Sequence, residues 1–126
     1  MRSLNKAMLI GNLGKDPEIR YTNAGSAVAN FPIATTDRWT SKTGDKQERT
    51  EWHNIVAFDR LADLSKNYLR TGSSVYIEGR LQTKSWEDSQ GQKKWRTEIV
   101  ATSIQFLDSI SEKNEEPEIS DNNPLR

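Results

Sequence analysis

Apolar and polar residues alternate with a period of two over most of the first hundred residues, the pattern of half-buried strands. The first such run, Leu4 to Leu13 (LNKAMLIGNL), stops at Asn12 and Gly14, and Lys15-Asp16-Pro17 reads as a turn because proline pre-sets its backbone dihedral. Glu18 to Tyr21 extends briefly before the Asn23-Ala24-Gly25 turn, and Ser26 to Thr36 forms a second, longer strand. Pro32 within it has no amide hydrogen, which predicts a bulge or an edge at that point. Thr40 to Lys46 is a polar hairpin tip, followed by a third strand over Arg49 to Phe58. The period then changes: Leu61, Leu64, Tyr68 and Leu69 recur at helical spacing, with Asp59 as a cap and Gly72 as a stop. Alternation resumes over Ser74 to Trp86 and Lys94 to Leu107, separated by the polar loop Glu87 to Gln92.

Three strands, one helix and two strands is the order of an OB-fold, a partly open barrel used for oligonucleotides. The fold class expected is therefore all-β: a five-stranded OB-fold barrel over residues 1–107, with one short helix between strands 3 and 4. Residues 108–126 are acidic, polar and proline-containing, with too little apolar mass to offset the entropy of ordering, and read as a disordered acidic tail.

Composition narrows the function. The chain has 126 residues, 33% of them hydrophobic, which fits one domain with a small core. The absence of cysteine removes disulfides and thiolate chemistry. No secretory or membrane-spanning run is evident, so the expected location is cytoplasmic. Formal charge is zero, but residues 1–107 carry 16 Lys and Arg against 12 Asp and Glu, while residues 108–126 carry 2 against 6. A basic body with an acidic tail suits a nucleic-acid partner better than the zero total suggests.

Trp39, Trp52, Trp86 and Trp95 all sit beside charged or polar residues, an arrangement of aromatic faces flanked by cations. Such a surface stacks bases without regard to sequence, and the flanking Lys and Arg neutralise phosphates. The competing reading is that each indole caps an end of the barrel. Phe58 is ambiguous: it ends an apolar strand and precedes the helix, which leans to core but leaves a surface role open, whereas Phe31 and Phe106 read as core. His53 is the only histidine, so no histidine-based metal site is expected, and neither a nucleophile elbow nor a phosphate-cradling glycine loop is present. No cofactor and no enzymatic activity are expected.

The runs Asn5 to Glu18 (NKAMLIGNLGKDPE), Thr50-Glu51-Trp52-His53, Tyr68 to Ser73 (YLRTGS) and Val75 to Gly79 (VYIEG) resemble the bacterial and mitochondrial single-stranded DNA-binding protein family. The resemblance covers about residues 4–107. It implies a homotetramer that wraps single-stranded DNA during replication, recombination and repair, and a nucleoid-associated location. Stacking aromatics then fall on Trp39, Trp52, Phe58 and Trp86, with Trp95 as a candidate for additional stacking, and phosphate contacts fall on Lys42, Arg60, Arg70 and Lys84. An arginine that the family often carries after the Trp-His pair is Asn54 here. His53 matches a subunit-interface position. The family's partner-recruiting tail corresponds to Asp121, Pro124 and Leu125, but its run of aspartates and final Phe are replaced by Asp121-Asn122-Asn123-Pro124-Leu125-Arg126, which counts against recruitment of replication and repair proteins. The alternative to strand binding is a protein-interaction module whose aromatic surface faces a partner.

Overall fold

The computed structural model describes residues 1–108. Six strands and one helix follow in the order β1 (Ala7–Leu13), β2 (Glu18–Tyr21), β3 (Ala27–Thr40), β4 (Lys46–Phe58), α1 (Asp59–Tyr68), β5 (Ser74–Glu87) and β6 (Lys93–Phe106). The sheet runs β1-β5-β6-β4-β3-β2, and a β1–β3 pairing closes β1, β5, β6, β4 and β3 into a five-stranded barrel. The brief extension after Pro17 is the separate short strand β2, paired to β3 outside that closure. Every pairing is antiparallel except β4 with β6, which meet in parallel at Ile55↔Ile99 and Val56↔Val100.

Alternation places one set of side chains inside. Ala29, Phe31 and Ile33 of β3, Ile55 and Ala57 of β4, Val75 and Ile77 of β5 and Ile99 and Ile104 of β6 form a single buried cluster. Phe31 is 3% exposed, as expected for core, and Phe106 packs against the cluster half-buried. The helix adds Ala62, Ser65 and Leu69 to the interior, each with no exposed surface, while Leu61 and Leu64 are half-buried and Tyr68 is exposed. Of the expected Leu61, Leu64, Tyr68 and Leu69 line only Leu69 is fully buried; Ala62 and Ser65 complete the stripe, because the small residues let the helix approach the sheet. The buried Ser65 hydroxyl donates to the Leu61 carbonyl at 2.8 Å, so its burial leaves no orphan donor.

Three local expectations are corrected, and at Pro32 the edge alternative holds in place of the bulge. β1 begins at Ala7 instead of Leu4. Asp59 makes no side-chain cap: Phe58 takes the cap position, and Asp59 itself is left-handed at φ 52°, a conformation that Asp tolerates and that turns the strand into the helix. Pro32 makes no bulge against β4, where it pairs in register with Asn54. Its carbonyl accepts from Gly14 N–H, and it falls between the segments of β3 that pair with β2 and with β1, so its missing donor faces a gap on that side. The register shift lies instead between Glu78 and Gly79 on β5. Finally, β3 and β4 pair through Thr40↔Lys46, giving a hairpin arm longer than the alternation suggests, whereas β5 and β6 pair through Glu87↔Lys93, within a residue of the expected bounds. The expected acidic tail, with Asp121, Pro124 and Leu125, lies outside the described residues.

Candidate nucleic-acid interface

Register decides which side chains share a face, because Cα partners on neighbouring strands point the same way and alternate residues point oppositely. Ile55 and Ile99 are core partners, so Trp52, Asn54 and Phe58 of β4 lie on the outer side, together with Arg96 and Glu98 of β6. Arg96 pairs with Lys84 and Lys94 with Trp86, which carries the same outer face onto β5. Trp52 and Trp86 therefore sit on one surface spanning β4, β6 and β5, with Arg96 and Lys84 between them. Their rings are 59% and 47% exposed, so neither is a packed barrel cap.

Trp52 leans over the turn that follows β1. A Cβ built on Gly14 would lie 2.5 Å from Trp52 Cζ3 and 2.7 Å from Cη2, so only glycine leaves room for the ring there. A cleft of about 480 Å³ opens beside it, lined among others by Lys15, Asp16, Asn30, Trp52, Asn54 and Arg96. Asn54 and the Arg96 cation of the neighbouring strand thus line the same cleft. In sequence Arg96 merely follows Trp95; its pairing with Lys84 is what assigns it to this face.

The turn under the cleft is pinned. Asp16 Oδ1 accepts from Thr71 N–H at 2.8 Å and from Thr71 Oγ1 at 2.9 Å. These bonds stabilise the carboxylate and hold its pKa below the ordinary value, with a smaller contribution from the Arg70 charge. Arg70 donates through Nη1 to the Leu69 carbonyl at 2.9 Å.

Phe58 is 42% exposed, which settles its ambiguous strand-end position against core. It shares the outer face of β4 with Trp52 but lies six residues further along the strand. Trp39 and Trp95 are 48% and 64% exposed, yet they face the other way: Trp39 pairs with Gln47 and Trp95 with Ser85, on the opposite sides of their arms from Trp52 and Trp86. Lys93 Nζ stands 6.0 Å over the Trp95 ring, a cation–π distance. Lys42 is exposed in the tip between β3 and β4, and Arg60 is exposed in the first turn of the helix. Lys84 is 54% exposed and ion-paired at 3.5 Å with the buried Glu98. His53 is half-buried, its Nε2 2.9 Å from Thr35 Oγ1. Among the described residues no cluster of His, Asp and Glu is arranged to hold a metal ion, and no helix is long and apolar enough to cross a membrane.

A second surface has another character. Residues 7–11 of β1 pair only with β5, leaving their other edge open. Met8 and Ile10 on this strand are 62% and 64% exposed, opposite Glu78 and Tyr76 respectively. Tyr76 donates to Glu78 Oε2 at 2.5 Å and Lys6 lies 3.5 Å from Glu78 Oε1. The hydroxyl bond holds the Glu78 pKa down and the Tyr76 pKa up.

A family model described as the single-strand binding protein family matches residues 4–107. Single-stranded DNA-binding protein 1 of Chlorobaculum tepidum is 56% identical over 107 residues, which is 84% of this chain and 66% of that protein, so the chain spans just under two thirds of its relative. Among solved structures, the Plasmodium falciparum SSB in complex with ssDNA is 41% identical with a TM-score of 0.77, covering 86% of this chain and 98% of the other. A deletion mutant of the single-stranded DNA binding protein from Thermus aquaticus is 32% identical with a TM-score of 0.72, over 83% of this chain and 51% of the other.

Proposed function

The chain belongs to the single-strand binding protein family, and on that premise we propose that it binds single-stranded DNA without sequence preference, by stacking bases on its exposed aromatics and neutralising phosphates with the cations between them. The observation that carries this reading is the outer face of β4, β6 and β5, where two exposed tryptophans flank Arg96 and Lys84. Every base has a π-face, so rings of this kind accept any sequence, at about 1–3 kcal/mol per stacked base. Each phosphate contact makes the affinity fall with salt. The function is binding and not catalysis; protection of exposed strands in replication, recombination and repair is the role typical of the family.

Trp52, Trp86 and Phe58 form the stacking track of the outer face. Trp39 and Trp95 present rings on the reverse of the two arms, where a strand that passes around an arm meets them. Lys42, Arg60, Arg70 and Lys84 are assigned to phosphates, joined by Arg96. The acceptance of a homotetramer is supported by the open β1 edge and the apolar Met8 and Ile10 beside it, which suit pairing with a second copy. His53 is assigned to a contact between subunits.

Trp52→Ala and Trp86→Ala test the stacking assignment: each variant is expected to lose affinity for poly(dT) while melting near the wild-type temperature. Wild-type affinity in both would overturn it. A protein that bound single strands no better than duplex would instead favour a partner-facing role for the aromatic surface.

A further inference from the structure

A carboxylate is buried beneath the cations of the aromatic face. Glu98 lies on β6 two positions from Arg96, and its side chain is 7% exposed. Oε1 stands 3.5 Å from Lys84 Nζ and Oε2 3.8 Å from Arg96 Nε. Oε1 makes no hydrogen bond, although it is within ion-pair distance of Lys84. The two cations are themselves 54% and 48% exposed. The contacts to both cations are ion pairs at 3.5 and 3.8 Å. A buried carboxylate needs compensation, and it obtains it here through long contacts that do not consume the hydrogen-bond donors of its partners.

A phosphate arriving at Lys84 and Arg96 meets cations that already have a fixed counter-charge. It competes with Glu98 for them, and its own charge is repelled by the carboxylate below. We propose that Glu98 is an internal counter-anion of the DNA-binding face: it holds Lys84 and Arg96 in place and, by competing with strand phosphates, limits both the affinity and the salt dependence of binding. This rests on the strand-binding reading above. Unlike a mobile salt anion, Glu98 is not released when a strand binds, so these two cations contribute less to the salt slope than free surface cations do.

The test is titration of the full chain with poly(dT), followed by fluorescence, in wild type and Glu98→Gln across a range of salt. Removing the carboxylate charge is expected to tighten binding roughly fivefold at moderate salt, the effect of one unit charge across a few ångströms of well-screened medium. The slope of log affinity against log salt is expected to steepen by up to about 0.7, the contribution of one further phosphate contact on a single strand, because one carboxylate offsets only one of the two cationic charges. Glu98→Met, of similar volume and without new donors, gives a second neutral variant should the amide fail to fold beside two cations. Unchanged or weaker binding in a folded neutral variant overturns the counter-anion role and leaves Glu98 as a positioning residue. Failure of the wild type to bind poly(dT) at all would instead overturn the reading on which the inference rests.

Discussion

Trp52 owes its position to the absence of a side chain beneath it. A Cβ on Gly14 would fall 2.5 Å from the ring, well inside van der Waals contact, so Gly14→Ala must tilt the indole. Gly14→Ala is expected to weaken poly(dT) binding by part of a stacking contribution of about 1–3 kcal/mol, with little change in melting temperature, because an exposed ring adds little to the core. Trp52→Ala is expected to lose the whole of that contribution, again without unfolding; titration and thermal melting of both variants provide the check. The tryptophans were legible in the sequence as an exposed set because cations and polar residues flank them. Which face each one uses was not, since that follows from register: Trp39 and Trp52 belong to the same arm and point to opposite sides of it. Phe58 leaned to core on its apolar neighbours Val56 and Ala57, which are buried, whereas Phe58 itself is 42% exposed, as the resemblance implied. Glu98 escaped notice because a glutamate in a basic strand looks like a solvated charge until Lys84 and Arg96 are seen to cover it.

Strand order and the single helix could be read from periodicity, because burial on one face imposes alternation and helix packing imposes a longer period. The β3–β4 arm was underestimated because its outer half is exposed on both faces, so Asp37 to Thr40 and Lys46 to Arg49 carry no alternation to read. The helix and its buried Leu69 were legible, but the rest of its buried stripe was not, since Ala62 and Ser65 carry no strong hydrophobic signal. The bulge at Gly79 also depends on a close approach: a Cβ there would lie 2.2 Å from the Val100 carbonyl oxygen. Gly79→Ala is expected to cost about 1–3 kcal/mol in urea unfolding, as overpacking does. The turn after β1 is held by the bonds of Asp16 to Thr71, which lower the Asp16 pKa. A carboxylate with a folded-state pKa below its ordinary value stabilises the fold above that value, and the contribution is lost as pH falls through the lowered one. Glu78, lowered by the Tyr76 hydroxyl, acts in the same direction. Asp16→Asn is therefore expected to be less stable than wild type at neutral pH and to lose less on acidification to about pH 3. Urea midpoints at the two pH values measure both effects.

At the scale of the molecule, a net charge of zero conceals a basic barrel, and the basic residues matter because they lie between exposed rings on one face. The apolar strip of Met8 and Ile10 beside an open strand edge is a different kind of surface, suited to a second copy of the chain. Ile10→Lys is expected to shift the assembly toward smaller species in sedimentation equilibrium while each barrel stays folded, because the substituted side chain lies outside the core. The central claim, that exposed tryptophans stack the bases of a single strand, is tested most directly by titrating the protein with poly(dT) at several salt concentrations while following tryptophan fluorescence, with duplex DNA as the control. The account predicts deep quenching by the single strand alone that weakens as salt rises. An absence of quenching at low salt, or equal quenching by duplex, would contradict it.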